Sequence, residues 1–161
     1  MKTKTTALLL ATAAIFLCAA GVAFAEEVSQ EAYVAQVEPI CHKNTTEIEK
    51  DLKPVKAEIK KGKLKAASIA VAKAGKSLQG AYEQLKAVPQ PAASEATLAK
   101  WLGYLKTETS LTQATSKALK ANKKSKASHD ESQLLHYSNL ANAAVFSFHF
   151  HYCRSELSKF I

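Results

Sequence analysis

Cys41-His42 near one end of the chain and His149-Phe150-His151-Tyr152-Cys153 near the other hold the residue types best suited to chemistry. Left reduced, Cys41, His42, His149 and Cys153 make a two-cysteine, two-histidine set, whose thiolates and imidazoles suit zinc or copper(I). His149 and Cys153 are four apart and share a face if their segment is helical. Against this set, adjacent ligands such as Cys41 and His42 rarely bind one metal together. A weaker variant keeps the disulfide and binds metal through histidines alone, against which His149 and His151, two apart, point to different faces. Oxidised, the same cysteines form a disulfide. The redox compartment decides between these readings.

Residues 1–25 read as an export leader. Lys2 and Lys4 form its charged start, Ala7 to Gly21 its apolar run, and Ala23-Phe24-Ala25 a small-x-small cleavage site. Cleavage after Ala25 and retention as an N-terminal anchor are both open. Cys18 is a poor lipidation site, because Ile15, Phe16 and Leu17 precede it where small residues belong. An oxidising destination favours a structural Cys41–Cys153 disulfide, with the metal site as the alternative. Residues 26–161 then form a single domain.

Other chemistry finds little support. The haem-attachment pattern Cys-x-x-Cys-His is absent, and Met1, the only methionine, belongs to the leader. Glu-x-x-His pairs of the di-iron bundles are missing, and no serine or histidine sits in a nucleophile-elbow or triad context. The expectation is a protein that is not an enzyme and needs no cofactor.

The chain is rich in alanine, lysine, leucine, glutamine and glutamate, all strong helix formers. A first helix is predicted from a Ser29 cap, its apolar stripe running Tyr33, Val37, Cys41, Ile48, Leu52, Val55 and Ile59, with Pro39 and Pro54 kinking or splitting it. After Gly62, Leu64 to Val88 forms a second, on a seam of Leu64, Val71, Leu78 and Leu85. Gly75 on that seam suggests a close helix approach. Val88-Pro89-Gln90-Pro91 is a loop. Ser94 caps a third helix on Leu98, Leu102, Leu105, Thr109, Thr112 and Leu119, broadened by Trp101 and Tyr104. Ser128 and Glu131 match a capping box opening a fourth, which extends to about Lys159. Its stripes are Leu134, Ala141, Val145, Phe148 and Tyr152, and Phe146, Phe150, Cys153, Leu157 and Phe160. Tyr33, Trp101, Tyr104 and Tyr137 read as core. The fold class is all-α, an up-down-up-down four-helix bundle whose first and last helices are tied by the disulfide. The closed loop is long enough to stabilise it by about 4–5 kcal/mol.

That topology puts two lysine-rich turns at one end. Lys56, Lys60, Lys61, Lys63 and Lys65, with Lys50 and Lys53 before them, surround the first. Lys120, Lys123, Lys124 and Lys126, with Lys117, surround the third. The net charge is +8, or +6 once the leader lysines leave. Arg154 is the only arginine. This argues against specific nucleic-acid recognition, which favours arginine's bidentate fork. A lysine tip suits looser anionic partners: envelope polymers, lipid head groups or an acidic protein.

Several motifs together resemble a known group: Tyr33-Val34 and Ile40-Cys41 in the first helix, Pro89 to Pro91 before Trp101-Leu102, and the aromatic run Phe146 to Cys153. In these the chain resembles small exported helical proteins of actinobacteria without an assigned activity. The resemblance implies a secreted helical bundle with one disulfide and brings no catalytic residue with it.

Overall fold

In a computed structural model, residues 27–155 are described. The leader expected over 1–25 lies outside them, as do Leu157, Phe160 and the expected helix end at Lys159. Five α-helices make four antiparallel rods. They are α1 (Gln30–Leu52), α2 (Val55–Lys60), α3 (Leu64–Ala87), α4 (Glu95–Lys120) and α5 (Lys124–Ala144). Among the described residues there is no strand, and no helix is long and apolar enough to cross a membrane.

The first rod is α1 followed by α2. Ser29 caps it as expected, its Oγ accepting from the Ala32 N–H at 3.1 Å. Its two prolines behave differently. Pro39 sits inside α1, exposed, and the helix runs through it. Pro54 lies at the break between α1 and α2. The Lys53 and Pro54 dihedrals stay in the right-handed helical region, so the rod keeps its course and loses only local hydrogen bonding. Val55 remains buried beyond the break, whereas Ile59, expected on the buried stripe, is 38% exposed.

The two turns at the lysine-rich end share one design. Gly62 (φ +73°) and Asn122 (φ +57°) each take the left-handed conformation after a helix. Gly62 N–H donates to Ile59 O and Lys63 N–H to Glu58 O; Asn122 N–H donates to Leu119 O and Lys123 N–H to Ala118 O. These are paired Schellman motifs, satisfying the carbonyls at the end of α2 and of α4. α5 begins directly after the second of them. Ser128 and Glu131 therefore lie inside the helix rather than opening it. Lys124 to Ala127 are helix-competent, and Ala127 gains burial by extending α5 backwards. Ser94 likewise makes no side-chain cap; it ends a short 3-10 turn, Ala92–Ser94, leading into α4.

The largest departure is at the end of the last rod. α5 stops at Ala144, and the aromatic stretch expected to continue it becomes a 3-10 turn, Phe146–Phe148, followed by irregular chain. His149 is left-handed (φ +52°) and turns the segment back across the bundle. Phe148 and Phe150 are buried, but Phe146, expected on an inner stripe, is 69% exposed. The two apolar stripes on this stretch are a sign that it is not an ordinary amphipathic helix. A surface helix has one such face, and here the aromatics are buried by wrapping.

Side-chain packing divides into two clusters. At the end holding the chain's first helical turn, Tyr33, Val37, Leu85, Leu98, Trp101 and Phe148 form an aromatic core with the disulfide. At the lysine-rich end, Leu52, Val55, Leu64, Val71, Leu119 and Leu134 form an aliphatic one. Residues from both turns share this second cluster, which places the turns together. α3 and α4 approach closely: a Cβ at Gly75 would meet Thr112 Cγ2 at 3.4 Å, ordinary contact distance. Ser116 Oγ donates across the pair to Ser68 O at 2.8 Å. α1 packs on α3, α3 on α4 and α4 on α5, while α1 and α5 barely meet. The wrapped segment bridges them.

Candidate functional site

The wrapped segment is fastened to α1 and α5 by polar clamps. The Glu38 carboxylate accepts from the backbone N–H of His151 at 2.7 Å and of Tyr152 at 2.9 Å. Thr45 Oγ1 donates to Tyr152 O, and Asn142 exchanges two 2.8 Å hydrogen bonds with the backbone of Ser155. Between these clamps runs the Cys41–Cys153 disulfide, with Cα atoms 4.9 Å apart across a sequence separation of 112. The expected pairing is present. It ties the first helix to the segment after the last helix rather than to the last helix itself.

With both sulfurs in the disulfide, Cys41 and Cys153 offer no thiolate. His149 is exposed on a left-handed residue, so it does not share a helical face with Cys153. His42 instead packs against Tyr152, ring centroids 4.1 Å apart, and His151 meets the same tyrosine at 4.4 Å. Among the described residues, no three His, Cys, Asp or Glu side chains converge to hold a metal.

Beneath the clamped segment lies a cavity of about 80 Å³ between α1, α3 and α4. Leu78, Ala81 and Leu85 of α3 and Ile48 of α1 form apolar walls, and the disulfide and Trp101 border it. Asn44, Trp101 and Glu108 are also among the lining residues, their polar atoms buried. Glu108 is 0% exposed. Among the described residues neither of its oxygens has a hydrogen-bond partner; nor do Asn44 Oδ1 and Trp101 Nε1. Burial pushes the Glu108 carboxyl up to about 8. The Ser155 side chain opposes that shift more weakly, close to the carboxyl without completing a hydrogen bond. The carboxyl is therefore mostly neutral at pH 7.

Sequence reasoning passed over both Glu108 and Asn44, although a signal was there. Glu108 is seven after Trp101 and four before Thr112, so it lies on the inward stripe of α4. Asn44 fills the seven-residue gap between Cys41 and Ile48 on the stripe of α1. A polar residue in phase with an apolar stripe marks a buried polar group. Of the aromatics read as core, Tyr33 and Trp101 are fully buried, and burial raises the Tyr33 hydroxyl to about 12. Tyr104 and Tyr137 are half-buried and pair with centroids 6.1 Å apart.

The opposite end carries the lysines. Lys56, Lys60, Lys61, Lys63, Lys65, Lys120, Lys123, Lys124 and Lys126 are all exposed. Among the described residues one of them is ion-paired: Lys126 Nζ lies 3.1 Å from Asp130 Oδ1. Lys56 acts across the bundle on Glu131, whose carboxyl is raised by burial and lowered by that lysine. α3 and α5 both start here without a side-chain cap. Their free N–H groups thus add partial positive charge to the lysine field.

Comparison of the chain with protein-family models, curated proteins and solved structures gives no match, so the reading of this site rests on its own geometry.

Proposed function

We propose that the chain is an exported, non-catalytic binding module of the cell surface, which uses its lysine tip to hold anionic polymers. The observation carrying this reading is the convergence of both lysine-bearing turns at one end, with nine lysines exposed there and, among the described residues, a single ion pair to them. Lysines on two rigid turns present a broad field of point charges. That suits phosphate- or carboxylate-bearing polymers bound by charge density rather than by a shaped pocket. The disulfide supports an oxidising, extracytoplasmic setting. Its use of both cysteines counts against the zinc or copper alternative.

Inorganic polyphosphate, poly-glutamate and phosphatidylglycerol vesicles serve as probes. Polyphosphate is expected to bind most strongly, with affinity falling steeply between about 50 and about 500 mM salt as the tip charges are screened. Reversing charge at Lys60, Lys61, Lys123 and Lys124 together is expected to abolish binding while leaving the helical circular dichroism intact. Unchanged binding by that variant overturns the reading, and binding to vesicles alone moves the partner to a membrane surface.

A further inference from the structure

The two turns at the tip repeat one another residue for residue. Lys60, Lys61, Gly62 and Lys63 in the first correspond to Lys120, Ala121, Asn122 and Lys123 in the second. Before the left-handed residue the backbone has φ −82°, ψ 2° at Lys61 and φ −86°, ψ 7° at Ala121. After it, φ −83°, ψ 55° at Lys63 recurs as φ −92°, ψ 70° at Lys123. The flanking hydrogen bonds repeat too. Lys61 N–H donates to Ala57 O and Ala121 N–H to Lys117 O, then Ala67 N–H to Lys63 O and Ala127 N–H to Lys123 O, each at 3.0 or 3.1 Å. Like backbone sends like positions in like directions, so Lys60 matches Lys120 and Lys63 matches Lys123. Helix stability does not ask for this pairing. Lys63 and Lys123 stand at N-cap positions, where Ser, Asp or Asn would accept from the first N–H groups. Lysine has no acceptor to offer. No acidic residue offsets either lysine in the first turn of α3 or α5. The same stabilising choice is given up twice, at the same place in the same turn, as happens where a surface serves a partner.

Resting on the reading of the tip as a polyanion site, we infer that these turns are two copies of one contact, and that the partner is a linear phosphate polymer of which a single chain lies across both. The turns are neighbours: residues beside each share one aliphatic cluster, and Lys56 of the first rod acts on Glu131 of α5. The axes of packed helices lie about 8–10 Å apart, a distance that a few linked phosphates cover. A repeated site suits a repeated ligand. Each phosphate offers the same charge, and lysine takes it as a point charge without demanding an angle, so the chain needs no particular register. Engagement of one turn holds the following phosphates beside the other, which raises their effective concentration there. A lone phosphate group meets one turn and gains nothing from the second. The phosphate chain also carries its charge on the backbone itself. Poly-glutamate must order a side chain for each charge it presents, at a cost in rotamer entropy.

The oxidised protein is titrated calorimetrically with pyrophosphate, with polyphosphate of about fifteen units, long enough to cross both turns, and with poly-glutamate of matched charge. Three variants are compared: Lys60→Gln with Lys63→Gln, Lys120→Gln with Lys123→Gln, and all four together. These lysines are exposed, and circular dichroism checks that each variant folds. The expected result is one polyphosphate chain bound per protein. Each paired variant should weaken that binding by a similar factor, about tenfold, and the fourfold variant by more than either. Pyrophosphate should bind at least about a hundredfold more weakly than the chain, and poly-glutamate more weakly than polyphosphate. Two chains per protein would make the turns independent and overturn the inference. So would one pair carrying the whole effect, pyrophosphate matching the chain, or poly-glutamate matching polyphosphate. In each of those cases the tip still binds polyanions, so the broader reading stands. Binding to none of the three probes removes both readings together. If a paired variant does not fold, the chain stoichiometry and the three probes on the unsubstituted protein decide the matter.

Discussion

The two ends of the bundle are held by different means. At the lysine tip, two matched Schellman turns and an aliphatic cluster close the structure with backbone hydrogen bonds and small side chains. At the other end α1 and α5 are not packed together. An irregular aromatic segment spans the gap, held by a disulfide, the Glu38 carboxylate and Asn142. Regular turns leave the tip surface free for charge. Irregular chain over the gap covers a space lined in part by Glu108, Asn44 and Trp101. The difference teaches that this bundle separates an exposed lysine field from an interior that holds buried polar groups. It does so by closing one end locally and the other through contacts distant in sequence.

The sharpest way to break the contrast is to remove the disulfide. Cys41→Ala with Cys153→Ala is expected to cost about 4–5 kcal/mol in urea unfolding, since the bond closes a 112-residue loop. Hydrogen exchange should show the loss first at residues 145–155, with the turns at Gly62 and Asn122 still protected. Equal loss at both ends would mean that the ends do not behave separately.

The next largest effect is the pH dependence from Glu108. Its folded carboxyl is raised from 4.5 to about 8. Between those values the native state binds a proton that the unfolded chain has lost. Stability from this group is thus greatest at low pH and falls as pH rises from about 4.5 to about 8, levelling above that. The full change is about 3–5 kcal/mol. Glu108→Gln should flatten that slope in thermal melts from pH 5 to pH 8; an unchanged slope assigns it to other groups.

Glu38 comes third. Glu38→Gln keeps the shape but puts an amide NH2 where one accepting oxygen was, so one backbone hydrogen bond is lost and the other loses its charge, at an expected cost of about 1–3 kcal/mol. It should also increase access of small quenchers to Trp101. A loss of stability without that change would separate the clamp from the cavity.

The smallest effects compare the two turns. Gly62→Ala places a Cβ at a left-handed residue and should cost about 1 kcal/mol, whereas Asn122→Gly should gain under about 1 kcal/mol. Opposite signs of this size in urea unfolding would bear out the shared turn design.

Much of this architecture is legible from residue spacing. Leu64, Val71 and Leu85 declare the inner face of α3, and Leu98, Leu102 and Leu119 that of α4, because a 3.6-residue period turns spacing directly into direction. Gly62 and the prolines at 89 and 91 mark connections by their own backbone preferences. The cysteine pair is expected from the redox setting that an export leader would imply, and the gathering of lysines at one end follows once four antiparallel rods are assumed. None of these needs knowledge of a particular neighbour.

Tertiary structure decided the rest. The end of α5 at Ala144 is set by where Phe148 and Phe150 find a core. Phe150 packs 5.4 Å from Trp101 and 5.3 Å from Phe148, ring centre to centre, and that burial outweighs the local preference to continue a helix. Spacing places Glu108 and Asn44 on inward faces. Only the assembled bundle shows that they border the same cavity, with no partner among the described residues. Periodicity is local and fixes a side chain's direction; the group it meets is fixed by the packing of helices far apart in the chain.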